Sequence, residues 1–223
     1  MTKAALCALV AALWAVPQVQ EPFNGKDLTG WKFKGQSEKS KWKVGKASLD
    51  PADNKKLTVA DGGNELVNSS VGSVDIYSEV HHGDAVIEVE LMVPKGSNSG
   101  VYVMGEYEVQ VLDSFGKEKM STGDIGALYG AAPPKVNASK APGEWQKFVI
   151  DFRAPKFDAD GKKTAAAKFV KIELNGQVVQ ENVEMKGPTP GGVSGKEAAT
   201  GPIMFQGDHG PVAYRNIKFT PVK

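Results

Sequence analysis

The sequence predicts an all-β domain built from two packed sheets, and three observations carry that prediction. Short runs of alternating apolar and polar residues recur along the chain, the period of a strand with one face on a core. Runs of helix-forming residues are scarce. Gly and Pro are plentiful, at 25 and 13 residues, and cluster between the runs, where turns need them. A chain of 223 residues suits one sandwich domain and can bury a core without disulfide staples.

Taken in order, strands are expected at residues 56–60 and 74–80. Residues 85–93 give the clearest pattern: Ala85, Ile87, Val89, Leu91 and Val93 alternate against Val86, Glu88, Glu90 and Met92. Residues 100–104 and 107–112 form two strands with a Gly at the break. In the second, Tyr107, Val109 and Val111 face one way while Glu106, Glu108 and Gln110 face the other. Residues 145–152 alternate again, with Gln146, Phe148, Ile150 and Phe152 opposite Lys147, Val149 and Asp151. Residues 169–174 and 177–183 flank Asn175-Gly176. Both central residues of a type I′ turn need positive φ, which Asn-Gly supplies, so this pair predicts a hairpin. Residues 202–206 and 212–219 close the chain. In the last strand Tyr214 and Ile217 both face inward only with a bulge near Asn216.

Two connections are long. Residues 114–143 hold eight Gly and Pro residues together with Leu128 and Tyr129, and read as a loop that lines a site. Residues 186–201 read instead as a surface excursion. His81 and His82, adjacent on an extended segment before Gly83, point apart and read as surface residues.

Residues 1–20 read as a secretory signal peptide: a short basic start, an apolar run from Ala4 to Val16, then Pro17 and no charge until Glu21. The run is short for a membrane span. The domain is therefore expected to occupy 21–223, exported to a bacterial periplasm or outside the cell, with no membrane insertion after cleavage. The one cysteine, Cys7, lies in the leader, so the remaining chain has no thiol chemistry and no disulfide. Of 27 Lys and Arg residues only Lys3 falls in the leader, while all 26 Asp and Glu lie beyond it, so the remainder is neutral. No basic stripe stands out, which argues against nucleic acid and anionic membranes as partners.

Several blocks occur in a characteristic order. Phe23-Asn24-Gly25-Lys26-Asp27-Leu28-Thr29-Gly30-Trp31 comes first. Asn98-Ser99-Gly100-Val101-Tyr102 then leads to Tyr107-Glu108-Val109-Gln110-Val111-Leu112-Asp113. Gly126-Ala127-Leu128-Tyr129-Gly130 and Gly143-Glu144-Trp145 follow. Gly201-Pro202-Ile203, Gln206-Gly207-Asp208-His209-Gly210 and Tyr214-Arg215-Asn216-Ile217 finish the set. Together, over residues 21–223, they resemble the 3-keto-disaccharide hydrolase domain family. The resemblance implies a concanavalin A-like jelly-roll sandwich, an exported bacterial protein that handles sugars, and cleavage of glycosidic bonds in 3-keto sugars. Met104 is a departure, since similar sequences often carry Arg there, which implies a different specificity.

A carbonyl at C3 acidifies the C2 proton of a sugar, so a base can start an elimination that expels the C1 substituent, and water can then add. Such chemistry needs a base near C2, an electrophile at the C3 oxygen and an acid at the leaving oxygen. An ordinary glycosidase needs two carboxylates across the anomeric carbon. Glu108, mid-strand on the polar face, is the candidate general base or metal ligand; its alternative is a solvated strand carboxylate. His209, in a Gly-flanked loop beside Asp208, is the candidate for proton transfer, or else an exposed loop residue. Gln110 shares the face of Glu108 and is placed to bind sugar hydroxyls, with Glu106 on that face nearer the turn. Asp113 either binds ligand or opens the following turn. Arg215 either clamps a sugar oxygen or pairs with a carboxylate. Tyr129 and Tyr102 offer rings to a sugar's C–H face or to the core. If a divalent ion is present, Glu108, His209 and Asp208 are its candidate ligands. Asp158-Ala159-Asp160-Gly161 lacks the closing Glu of a calcium loop and reads as a turn, and Trp31, Trp42 and Trp145 read as core. The expected partner is a carbohydrate, and two other readings stand beside the 3-keto lyase: a non-catalytic carbohydrate-binding module and an ordinary glycoside hydrolase.

Overall fold

The structure is a computed structural model and describes residues 18–222. It contains β1 (Trp31–Lys34), β2 (Trp42–Leu49), β3 (Leu57–Asn68), β4 (Asp75–His82), β5 (Ala85–Met92), β6 (Asn98–Val103) and β7 (Tyr107–Leu112). Then come β8 (Gln146–Arg153), β9 (Lys156–Phe157), β10 (Lys163–Ala165), β11 (Lys168–Leu174), β12 (Gln177–Glu184), β13 (Gly201–Phe205) and β14 (Val212–Pro221). The sole helical element among the described residues is a 3-10 turn at Ser37–Lys39. None of the described helices is long and apolar enough to cross a membrane.

The strands form a two-sheet jelly-roll sandwich. One sheet runs β1-β4-β13-β6-β7, the other β12-β11-β8-β5-β14-β3-β2, and β9 with β10 makes a small separate ribbon. All pairings are antiparallel. The alternation read in the sequence sets which faces meet. Ile76, Val101, Val103, Tyr107, Val109, Val111 and Phe205 of the five-stranded sheet pack on Leu66, Ile87, Val89, Leu91, Phe148, Ile150 and Phe152 of the seven-stranded sheet. An aromatic stack crosses the core: Trp31 on Phe205 at 5.5 Å, Phe205 on Tyr214 at 3.9 Å, and Tyr214 on Trp42 at 6.3 Å. Trp31 and Trp42 are thus core residues. Trp145 instead packs its ring on the guanidinium of Arg215, 3.9 Å from the ring centre.

The Asn175-Gly176 hairpin is present, with φ of 53° and 81°. The bulge near Asn216 is present too: the β14–β5 register shifts between Arg215 and Lys218, Asn216 has φ 52°, and Tyr214 and Ile217 are both buried. β1 and β2 escaped the sequence reading, because Lys and Gly interrupt their apolar positions. β3 is longer than residues 56–60, because Asp61 to Asn64 bulge out and the strand resumes pairing with β2 at Glu65. His81 is exposed, as expected, but His82 is not. The link after them carries the chain from one sheet to the other. His82 turns inward and is 5% exposed. Its ring lies against Phe219 at 4.8 Å, and burial presses its pKa down to about 4.

Residues 1–17 lie outside the described residues, and most of the expected leader with them. Its last residue, Gln20, exchanges backbone hydrogen bonds of 2.9 and 2.8 Å with Phe219.

Candidate active site

The outer face of the five-stranded sheet carries polar residues in register. Lys34 pairs with Asp75 across β1 and β4, and Gly100 pairs with Gln110 across β6 and β7. Tyr102 stands directly opposite Glu108. Lys34 Nζ approaches Asp75 Oδ2 at 3.5 Å, and Asp75 Oδ1 accepts the Gly207 N–H at 3.0 Å. Above this sheet lies a cavity of about 190 Å³ lined by Asn98, Tyr102, Glu108, Gln110, Tyr129, Pro190, Gly191, Gln206 and His209. Five residues singled out in the sequence, Tyr102, Glu108, Gln110, Tyr129 and His209, therefore come together in one place.

Glu108 is not a solvated strand carboxylate. It is 3% exposed, and its carboxyl leans over Gly100. A Cβ at residue 100 would collide with Glu108 Oε1 and sit 3.0 Å from its Cδ. Burial pushes its pKa up to about 7, with the Tyr102 hydroxyl and the His209 ring drawing it back and the carboxylates of Asp75 and Asp208 adding to the rise. Burial likewise raises Tyr102 far above the ordinary phenol, reinforced by Glu108, so Tyr102 stays neutral. Gln110 donates from Nε2 to Asn98 Oδ1 at 3.2 Å and to the Gly123 carbonyl at 3.1 Å, which leaves its buried Oε1 without a partner. His209 Nδ1 is bonded to Asp208 Oδ1 and its ring is half exposed, so Nε2 is the nitrogen left for other partners.

Two loops build the walls. The first runs along the free edge of β7. The Gly126 N–H donates to Gln110 O at 2.9 Å, the Gln110 N–H to Ala127 O at 2.9 Å, and the Tyr129 N–H to Glu108 O at 3.1 Å. It is pinned by buried Asp124, which accepts from Lys117 and Ser121. The second loop, read from sequence as a surface excursion, is instead latched onto β7. Glu106 Oε1 accepts the N–H and hydroxyl of Ser194 at 2.8 and 2.7 Å, and Oε2 accepts the Gly195 N–H at 2.9 Å. Thr189 donates to Glu106 O and accepts the Glu108 N–H at 2.9 Å. The Tyr102 hydroxyl donates to Pro190 O at 3.1 Å. Glu106 thus holds the loop and does not face the cavity.

Arg215 and Asp113 stand elsewhere. Arg215 lies on β14 in the other sheet, where it binds its direct cross-strand partner Glu90 at 2.7 Å, because Tyr214 faces the core and strand alternation turns the next residue outward. Asp113 accepts the Gly96 N–H at 2.8 Å and the Phe115 N–H at 3.3 Å, which makes it a turn residue. Met104 lies outside the cavity too. Asp158 accepts the N–H groups of Asp160 and Lys162, as a turn does. Among the described residues no three His, Cys, Asp or Glu side chains are grouped to hold a metal ion. Asn98, Gln206 and Asp75 are the polar residues that sequence reasoning missed. Asn98 and Gln206 end blocks already quoted, and two amides beside a strand carboxylate were the available signal.

The fold recurs in solved structures. A candidate glycosyl hydrolase from Parabacteroides distasonis shares 27% identity with a TM-score of 0.67, covering 92% of this chain and 84% of its own. A second from the same organism shares 18% with a TM-score of 0.62, covering 92% and 94%. No protein of curated function is a match. Residues 18–220 fit the family described as the 3-keto-alpha-glucoside-1,2-lyase-like domain, and since that span includes both sheets, both loops and every residue of the cavity, the chain belongs to this family.

Proposed function

We propose that this domain binds a carbohydrate and cleaves the glycosidic bond of a 3-keto glycoside by elimination followed by addition of water. One observation supports it most. The cavity is lined by a single carboxylate, Glu108, buried and raised to about pH 7, amid amides suited to hydroxyls. A glycosidase of the ordinary kind needs two carboxylates flanking the bond. A lone base tuned near neutrality suits proton abstraction next to a carbonyl.

In this reading ionised Glu108 takes the C2 proton. The electron pair moves onto the C3 oxygen, which receives hydrogen bonds from the side-chain amides of Asn98 and Gln206. The enolate then collapses to the 1,2-unsaturated ketone as the C1–O bond breaks, and His209 Nε2 gives the leaving oxygen its proton. Water adds at C1, giving its spare proton to His209 Nε2 as its oxygen bonds C1, and the proton held by Glu108 returns to C2. The orphaned Oε1 of Gln110 accepts a sugar hydroxyl. The leader at 1–20 supports action in a periplasm or outside the cell.

The test is turnover of methyl 3-keto-glucosides and their unoxidised parents from pH 5 to 9. Only the keto sugars are expected to react. Because the base works ionised, kcat/KM should climb as pH rises toward about 7. Cleavage of the parent, or binding with no cleavage of either, would overturn the proposal. Gly100→Ala places a methyl where the carboxyl sits. It should cut kcat by about tenfold or more while circular dichroism shows the sheet unchanged.

A further inference from the structure

A second cavity of about 440 Å³ adjoins the first, lined by residues 129–131 and 183–190. Tyr129 and Pro190 line both cavities and form the wall between them. The two differ in chemistry. The first presents Asn98, Glu108, Gln110, Gln206 and His209. The second presents Tyr129, Ala131, Val183, Met185, Pro188 and Pro190, with Glu184, Lys186 and Thr189 as its polar side chains. Thr189 is already committed, since its hydroxyl bonds Glu106 O and the Glu108 N–H. Glu184 and Lys186 are exposed to solvent.

We infer that this second cavity receives an aromatic aglycone, so that the preferred substrate is an aryl-bearing 3-keto glycoside. The inference rests on the proposed function above. A sugar ring in the second cavity would leave most of its hydroxyls without partners, at a cost in desolvation. A flat apolar ring would lose nothing there and would meet the ring of Tyr129, which is 40% exposed, and the faces of two prolines. The shared wall sets the order of the groups: sugar over Glu108, aglycone beyond Tyr129.

Methyl and benzyl 3-keto-glucosides, in both anomeric forms, separate this idea from leaving-group effects, because the two alcohols have nearly equal acidity. The benzyl compound is expected to show kcat/KM higher by about tenfold or more, mainly through KM. Ala131→Glu puts a charge into the second cavity at an exposed position. It should erase that advantage and leave methyl turnover unchanged. Equal kcat/KM for the two compounds, or an advantage that survives Ala131→Glu, would overturn the inference. If neither compound is cleaved, the reaction assigned above fails. Calorimetric binding of unoxidised methyl and benzyl glucosides then decides the cavity: tighter benzyl binding, lost in Ala131→Glu, upholds it, and equal or absent binding overturns it.

Discussion

Replacing Glu108 by Gln is expected to lower kcat on a 3-keto glycoside by about a hundredfold to ten-thousandfold, the range general bases contribute. Gln keeps the shape and one oxygen of the side chain but cannot take a proton. Binding of the unoxidised parent should change much less, since Asn98, Gln110, Gln206 and His209 remain to bond hydroxyls. Calorimetry on the variant measures this directly. A variant that still turns over would remove Glu108 from the reaction.

The same substitution should make the protein more stable at alkaline pH. Glu108 has a folded pKa of about 7 against an ordinary value of 4.5, because burial disfavours its charged form. Below 4.5 the side chain is protonated in both folded and unfolded chains and contributes no pH dependence. Between 4.5 and 7 the unfolded chain gives up its proton first, so stability falls as pH rises. Above 7 the loss is complete, at up to about 3 kcal/mol. Gln escapes this penalty. Glu108→Gln should therefore melt higher than the parent at pH 8, by roughly 5–10 °C, and the gap should close near pH 4. A lower melting temperature at pH 8 would mean that the carboxylate is well solvated or paired, and would weaken its assignment as a tuned base. Loss of activity with gain of stability is the signature of a strained functional group.

Much of the sheet structure was legible because alternation reports directly which face is buried. The runs through Ala85–Met92 and Gln146–Arg153 show it, and the bulge at Asn216 follows from the spacing of Tyr214 and Ile217. The polar row of Glu106, Glu108 and Gln110 was legible for the same reason. What lay above that row was not. A strand's period says that Glu108 leaves the core. It does not say whether water or another loop meets it. Burial of Glu108 depends on residues 81 positions away in sequence, through the Glu108 N–H bonded to Thr189. For Arg215 the sequence left two readings open, and the pairing with a carboxylate is the one seen: alternation after inward Tyr214 sets it opposite Glu90, a partner on a strand 125 residues earlier that local sequence does not reveal. The loop at 186–201 looked like an excursion because Gly and Pro dominate it. Its order comes from outside it, from the Glu106 side chain and from the backbone of residues 105–108.

That latch gives the second large effect. Glu106→Ala is expected to release Ser194 and Gly195, while Thr189 and Val193 keep their bonds to the backbone of Glu106, Glu108 and Gly105, and to lower kcat/KM by about tenfold to a hundredfold through the loosened loop. The carboxylate holds three donors, from the N–H and hydroxyl of Ser194 and the N–H of Gly195. Hydrogen bonds to a charged acceptor contribute about 1.5–3 kcal/mol each where water cannot replace them, and here Glu106 is 5% exposed while Ser194 and Gly195 stand at the surface. Water can serve the loop's donors once released, so the net cost in stability should be about 2 kcal/mol. The cost to the site is larger. Pro190 and Gly191 gain freedom between the anchored Thr189 and the released tip, the bond from the Tyr102 hydroxyl to Pro190 O weakens, and water enters beside Glu108. With its carboxyl hydrated, Glu108 should return toward the ordinary range, so the acid limb of the pH–rate profile should move below 7. This shift separates a latch from a merely structural residue. A variant that is destabilised but keeps its acid limb at 7 would show that the loop does not keep Glu108 dry. Glu106→Gln, which retains one acceptor oxygen but no charge, should fall between the parent and Ala in kcat/KM, in stability and in the position of that limb.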